Sequence, residues 1–93
     1  MVVATLRLDL HIPASQSLKA KRSVLNHVKE RVRTRFNAAV AEVDHQDLWQ
    51  RATLGVAVVG AEAGVLDRVL RDILSCVESE ARLTVLDYQI QIG

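Results

Sequence analysis

One cysteine, Cys76, and one proline, Pro13, stand in a chain of 93 residues. A single thiol excludes an internal disulfide framework and gives zinc no thiolate cluster to bind. Aromatic residues are equally scarce: Phe36, Trp49 and Tyr88 are the full set. An RNA-recognition sheet of the usual kind needs aromatic side chains on its central strands to stack bases, and these three positions do not supply them. Glycine occurs four times, and never in the stretch HIPASQS that follows the first apolar segment. The glycine-rich phosphate cradle of an acylphosphatase-like enzyme is therefore missing. Neither sign of charge dominates, with 12 Lys and Arg against 11 Asp and Glu and a net charge of +1. The whole-chain balance thus gives no sign of a polyanionic or membrane partner. No apolar run approaches the roughly 20 residues of a membrane span. The opening MVVATLRLDLHI lacks a basic segment followed by an apolar one and a small-residue cleavage site, so a cytoplasmic location is expected.

What remains is the composition of a folded domain, 49% hydrophobic and 25% charged. A chain this short buries only about 60% of its unfolded surface and supports one core, so residues 1–93 are read as a single domain. From Val3 to Ile12, Leu6, Leu8, Leu10 and Ile12 alternate with Thr5, Arg7, Asp9 and His11, the period of a half-buried strand. Pro13 ends it. Ser15 and Ser17 are candidate helix caps, and Leu18, Val24, Leu25, Val28 and Val32 recur at helical spacing as far as Arg35. FNAAVAEVD (36–44) and RATLGVAVVG (51–60) read as a hairpin. AEAGVLDRVLRDILSCVESEA then sets Leu66, Val69, Leu70, Ile73 and Val77 on one helical stripe. RLTVLDYQIQIG closes the chain as a strand, with Leu86, Tyr88, Ile90 and Ile92 turned to the core.

Strand, helix, strand, strand, helix, strand is the ferredoxin-like α+β order. It predicts a four-stranded antiparallel sheet, order 4-1-3-2, with both helices on one face and the other face open. The expected core is Leu6, Leu8, Leu10, Val28, Val32, Leu54, Val56, Leu70, Ile73, Leu86 and Ile90.

Charge is distributed less evenly than its total. Lys19, Lys21, Arg22, Lys29, Arg31, Arg33 and Arg35 fall within residues 17–35 beside one acid, Glu30, whereas residues 62–80 hold Glu62, Asp67, Asp72, Glu78 and Glu80. Cations in the first turns of a helix oppose the macrodipole. In the expected topology the second helix ends where the first begins, so pairing of Lys19, Lys21 or Arg22 with Glu78 or Glu80 is one explanation. It does not reach the whole cluster. At roughly 100° per residue, Lys19, Arg22, Lys29 and Arg33 share one flank with Asn26, while Lys21 points into the apolar sector with its ammonium expected to snorkel out. A continuous basic flank is the footprint of a phosphate-backbone binder. The candidate RNA-binding residues are Lys19, Lys21, Arg22, Lys29 and Arg33.

The open sheet face offers a second candidate surface. Arg7 and Asp9 on a central strand and Asp87 on the neighbouring edge strand form an expected polar floor, with an Arg7–Asp87 pair. Val40, Ala57, Val59 and Val85 give the same face enough apolar surface to suggest packing against a second copy. Trp49, in the hairpin loop, either folds back or anchors a partner. Asp44 to Asp47 with His11 is a weak metal candidate, outweighed by ordinary turn formation. Cys76 reads as a small core residue and His27 as surface.

The stretches SLKAKRSVL and RFNAAVAEVDHQDLWQRATLGVAVV carry a resemblance to the YlxP-like family, a bacterial domain of unknown function. It extends over nearly the whole chain, with Ala39 standing where a small hydroxyl residue is common. The resemblance implies a small cytoplasmic protein of ferredoxin-like fold, often encoded near genes for translation initiation and ribosome maturation. It supplies no catalytic residues. The expectation is a non-enzymatic protein without cofactor that contacts RNA or ribosomal particles through the first helix. The alternative is a protein-interaction module, with a second copy of the chain among its partners (a homodimer), that uses the open sheet face and Trp49.

Overall fold

The computed structural model describes residues 1–93. The elements are β1 (Val2–His11), α1 (Leu18–Arg35), β2 (Ala39–Asp44), β3 (Arg51–Gly60), α2 (Ala63–Glu78) and β4 (Thr84–Ile92). The sheet order is β2-β3-β1-β4 with every neighbouring pair antiparallel. This is the ferredoxin-like arrangement read from the sequence. Both helices pack on one face and touch each other. No helix is long and apolar enough to cross a membrane.

The alternation in β1 accounts for the core. Ala4, Leu6, Leu8 and Leu10 are buried, opposite Val58, Val56, Leu54 and Ala52 of β3. From α1 come Val24, Leu25, Val28 and Val32, and from α2 Leu66, Leu70, Ile73, Leu74 and Val77. Ser17 caps α1, its side chain accepting the Ala20 N–H at 3.0 Å. Ser15 instead donates to the Ser17 carbonyl.

One expected core residue is misplaced. Leu86 is 51% exposed. The β1–β4 register runs Asp9 opposite Asp87 and then Leu10 opposite Val85, so Leu86 is the extra residue of a β-bulge. Strict alternation across a bulge puts every residue beyond it on the wrong face. Val85, assigned to the open face, packs instead against the core beside Ile90. Val40, assigned to the open face as well, is buried opposite Val56.

Candidate nucleic-acid interface

Lys21 departs furthest from expectation. Its side chain is wholly buried and does not reach solvent. The ammonium lies 2.9 Å from Glu42 Oε2 and donates to the carbonyls of His45 (2.8 Å), Gln46 (3.4 Å) and Arg51 (3.2 Å). An ammonium has three protons, and here every direction around it is met by oxygen. A buried charge without such partners costs several kcal/mol, so this site is a clamp holding the β2–β3 loop onto the first turns of α1. Lys21 is consequently not available to RNA.

The clamp imposes an unusual backbone. His45 sits in the left-handed region at φ 59°, a conformation that costs energy for a residue other than glycine and persists only where neighbours enforce it. Its carbonyl is taken by Lys21, and its N–H donates to Asp44 Oδ1 at 2.7 Å. That bond, followed by the charges of His45 and Arg7, holds the Asp44 carboxyl below its usual range. The His45 ring turns onto the open sheet face, Nδ1 2.9 Å from the Thr53 hydroxyl, which in turn donates to Asp9 at 2.8 Å.

This network reorders the expected polar floor. Arg7 lies 3.6 Å from Asp44 and pairs there rather than with Asp87. Asp87 is directly opposite Asp9, a like-charge placement that is unfavourable alone. Each carboxylate has its own donor: Thr53 for Asp9, and the Tyr88 N–H for Asp87 at 2.9 Å. No three metal-ligating side chains converge anywhere, and the Asp44–Asp47 stretch does not gather with His11. Next to Arg7 the open face dips into a shallow trough of 390 Å³ lined by small side chains, Ala39, Ala41 and Ala57 among them. Gly55 and Val43 line it as well, and the missing Cβ of Gly55 lets the Val43 side chain approach closely, since a Cβ there would meet Val43 Cγ1 at 3.0 Å.

The pairing of the two helix ends is also replaced. Glu80 is buried and engaged by Arg82, whose Nε donates to Oε1 at 2.8 Å and Nη2 to Oε2 at 3.2 Å. Those hydrogen bonds bring its carboxyl down to about 2, with smaller help from the charges of Arg82 and His27. His27 Nε2 stands 3.7 Å from Glu80, Arg31 donates to Ser79 and Arg35 approaches Cys76. The end of α2 therefore lies against the middle and second half of α1. Glu78 and Glu80 do not pair with Lys19, Lys21 or Arg22 because the helices are offset along their axes.

Of the seven cations of α1, Lys21 alone has a carboxylate oxygen within 4.0 Å. Lys19 and Arg22 are exposed and Lys29 is half-buried. Arg33 is exposed but occupied, donating from Nη2 to the Val40 carbonyl at 2.9 Å. That bond puts the basic flank on the β2 side of the molecule. The first turn of α1 contains no acid. Trp49 does not fold back: it is 55% exposed beside Leu48 in the loop that Lys21 clamps.

The Lys21–Glu42 pair had a signal in the sequence. With Val40 on the core side, where the structure has it rather than on the open face expected from sequence, Glu42 follows at strand period 2 as a core-facing acid, and Lys21 lies in the apolar sector of its helix. One buried charge on each element implies the other.

A family model described as "Protein of unknown function (DUF503)" matches residues 3–90. An uncharacterized protein, YlxP of Bacillus subtilis (strain 168), is 36% identical over 63 residues, 68% of each chain. Among solved structures, the de novo designed protein Foldit4 superposes with a TM-score of 0.51 at 13% identity, over 99% of this chain and 94% of the design, a likeness of fold alone. The chain belongs to the DUF503 family, whose function is unknown.

Proposed function

We propose that the protein is a non-enzymatic binder of RNA or ribonucleoprotein, ribosomal particles included, and that it makes phosphate contacts through Lys19, Arg22 and Lys29 on the exposed flank of α1. The observation behind this reading is that these cations have no carboxylate partner within 4.0 Å, although the acidic helix packs against the same helix. Of the three, Lys19 stands in the first turn of α1, where a cation costs typically about 0.3–1 kcal/mol at the surface, and a phosphate backbone would offset that cost. With no aromatic side chain on the flank, such binding is electrostatic and largely independent of sequence.

The test is charge reversal of Lys19, Arg22 and Lys29 together, with Arg68→Glu on α2 as a control. Arg33 is left intact because its guanidinium bonds β2. Binding to labelled RNA duplexes and to ribosomal subunits is measured across a salt series. The reversed protein is expected to melt like its parent, to bind more weakly, and to lose about one unit of salt slope per phosphate contact. Equal affinities and equal slopes for parent and variant would refute the reading. The second reading, a protein-interaction module, is favoured by the exposure of Trp49 and Leu48 at one loop tip. It predicts binding insensitive to salt and abolished by Trp49→Ala.

A further inference from the structure

The two outer strands end the sheet in different ways. In an antiparallel strand, alternate residues direct both N–H and C=O to the same neighbour. On β2 the outward carbonyls are those of Val40 and Glu42, and both are occupied, by Arg33 and by Gln46 Nε2 at 3.3 Å. On β4 the parity is set by the Gly93 N–H, which donates to Val3 O at 2.9 Å. Residues 87, 89, 91 and 93 face β1, so Tyr88, Ile90 and Ile92 face outward. Only the Tyr88 N–H among these outward groups has a partner, Asp87. The strand contains no proline and no lysine, and it leaves Leu86, Tyr88 and Ile92 exposed. Long bare edges of this composition are templates for strand pairing.

The geometry points to a second copy of this chain as the occupant of the β4 edge, paired antiparallel about a two-fold axis at Ile90 to continue the sheet across the dimer. That register uses all three outward residues. Ile90 meets its own mate, and Tyr88 meets Ile92 of the second copy. On the opposite face Gln89 meets Gln91, and Asp87 meets Gly93, so no like-charged side chains are opposed. The rim is self-complementary as well. Asp67 and Arg71 are bonded at 3.0 Å on α2, which packs against β4. A two-fold axis brings this pair toward its own reverse. The proposal is independent of the polyanion reading, because the basic flank lies on the β2 side.

Sedimentation from about 1 µM to about 1 mM spans the range in which small interfaces associate. The parent is expected to move from 10.3 kDa to twice that mass. Over the same range the amide exchange of Ile90 and Ile92 is expected to slow about tenfold or more. Ile92→Lys places a charge at the edge, and Ile92→Pro removes an outward N–H without touching the β1 ladder. Both variants should remain monomeric. A parent monomeric throughout, a dimer whose Ile90 and Ile92 amides exchange as in the monomer, or a folded proline variant that dimerises like its parent would each overturn the proposal.

Discussion

The β2 and β4 edges are built from the same backbone groups and are treated in opposite ways. Along β2, side chains from α1 and the following loop occupy the outward carbonyls, and Lys21 locks that loop from beneath. Along β4, nothing but Asp87 intervenes. The guarded edge runs beside the basic flank of α1, and the bare edge runs beneath the more acidic α2. A protein that guards one sheet edge and leaves the other bare would separate the two proposed contacts in space: polyanions at α1, and a second sheet edge at β4.

The clamp gives the largest expected effect. Lys21→Met leaves Glu42 buried without its counter-charge and three carbonyls without a donor, and removing one partner of a buried pair costs about 3–5 kcal/mol. Urea unfolding should show a loss in that range, together with faster amide exchange throughout the β2–β3 loop. A loss below about 1 kcal/mol would mean that the pair is solvated in solution. Arg33→Ala takes one guard from β2 and should cost about 0.5–1.5 kcal/mol, the net worth of one hydrogen bond. It should also make the β2 edge more prone to self-association, and an unchanged association behaviour would show that the guard is not needed. The smallest effect is pH-dependent. The Glu80 carboxyl is lowered from 4.5 to about 2, so its contribution is complete above the unfolded value and disappears as pH falls through the folded one. The stability gap between the parent and Glu80→Gln should therefore be constant near neutrality and close between about pH 4.5 and pH 2. A gap that persists at pH 2 would assign it to packing.

Much of the fold was legible in the sequence. The alternation Leu6, Leu8, Leu10 against Thr5, Arg7, Asp9 settled β1, and the helical spacing from Leu18 to Arg35 matched α1 end to end. The four-strand order followed from those elements. What escaped had local causes. The bulge at Leu86 interrupts a perfect alternation without any glycine or proline to mark it. The left-handed turn at His45 depends on a lysine 24 residues earlier. The axial offset of the helices, which separates Glu78 and Glu80 from Lys19 and Arg22, is a tertiary packing result that no periodicity encodes. Of the candidate RNA-binding set, Lys19, Arg22 and Lys29 remain available, Arg33 is partly committed to β2, and Lys21 is structural.

The central claim is that the two sides of the molecule meet different partners, and nuclear magnetic resonance titration of the labelled protein with a short RNA duplex tests it most directly. The account predicts amide shifts concentrated on α1 from Lys19 to Arg33 and the adjoining β2 strand, fading as salt is raised, with β4 and α2 unmoved. Shifts centred on β4 and α2, or none at concentrations where ribosomal particles bind, would contradict it.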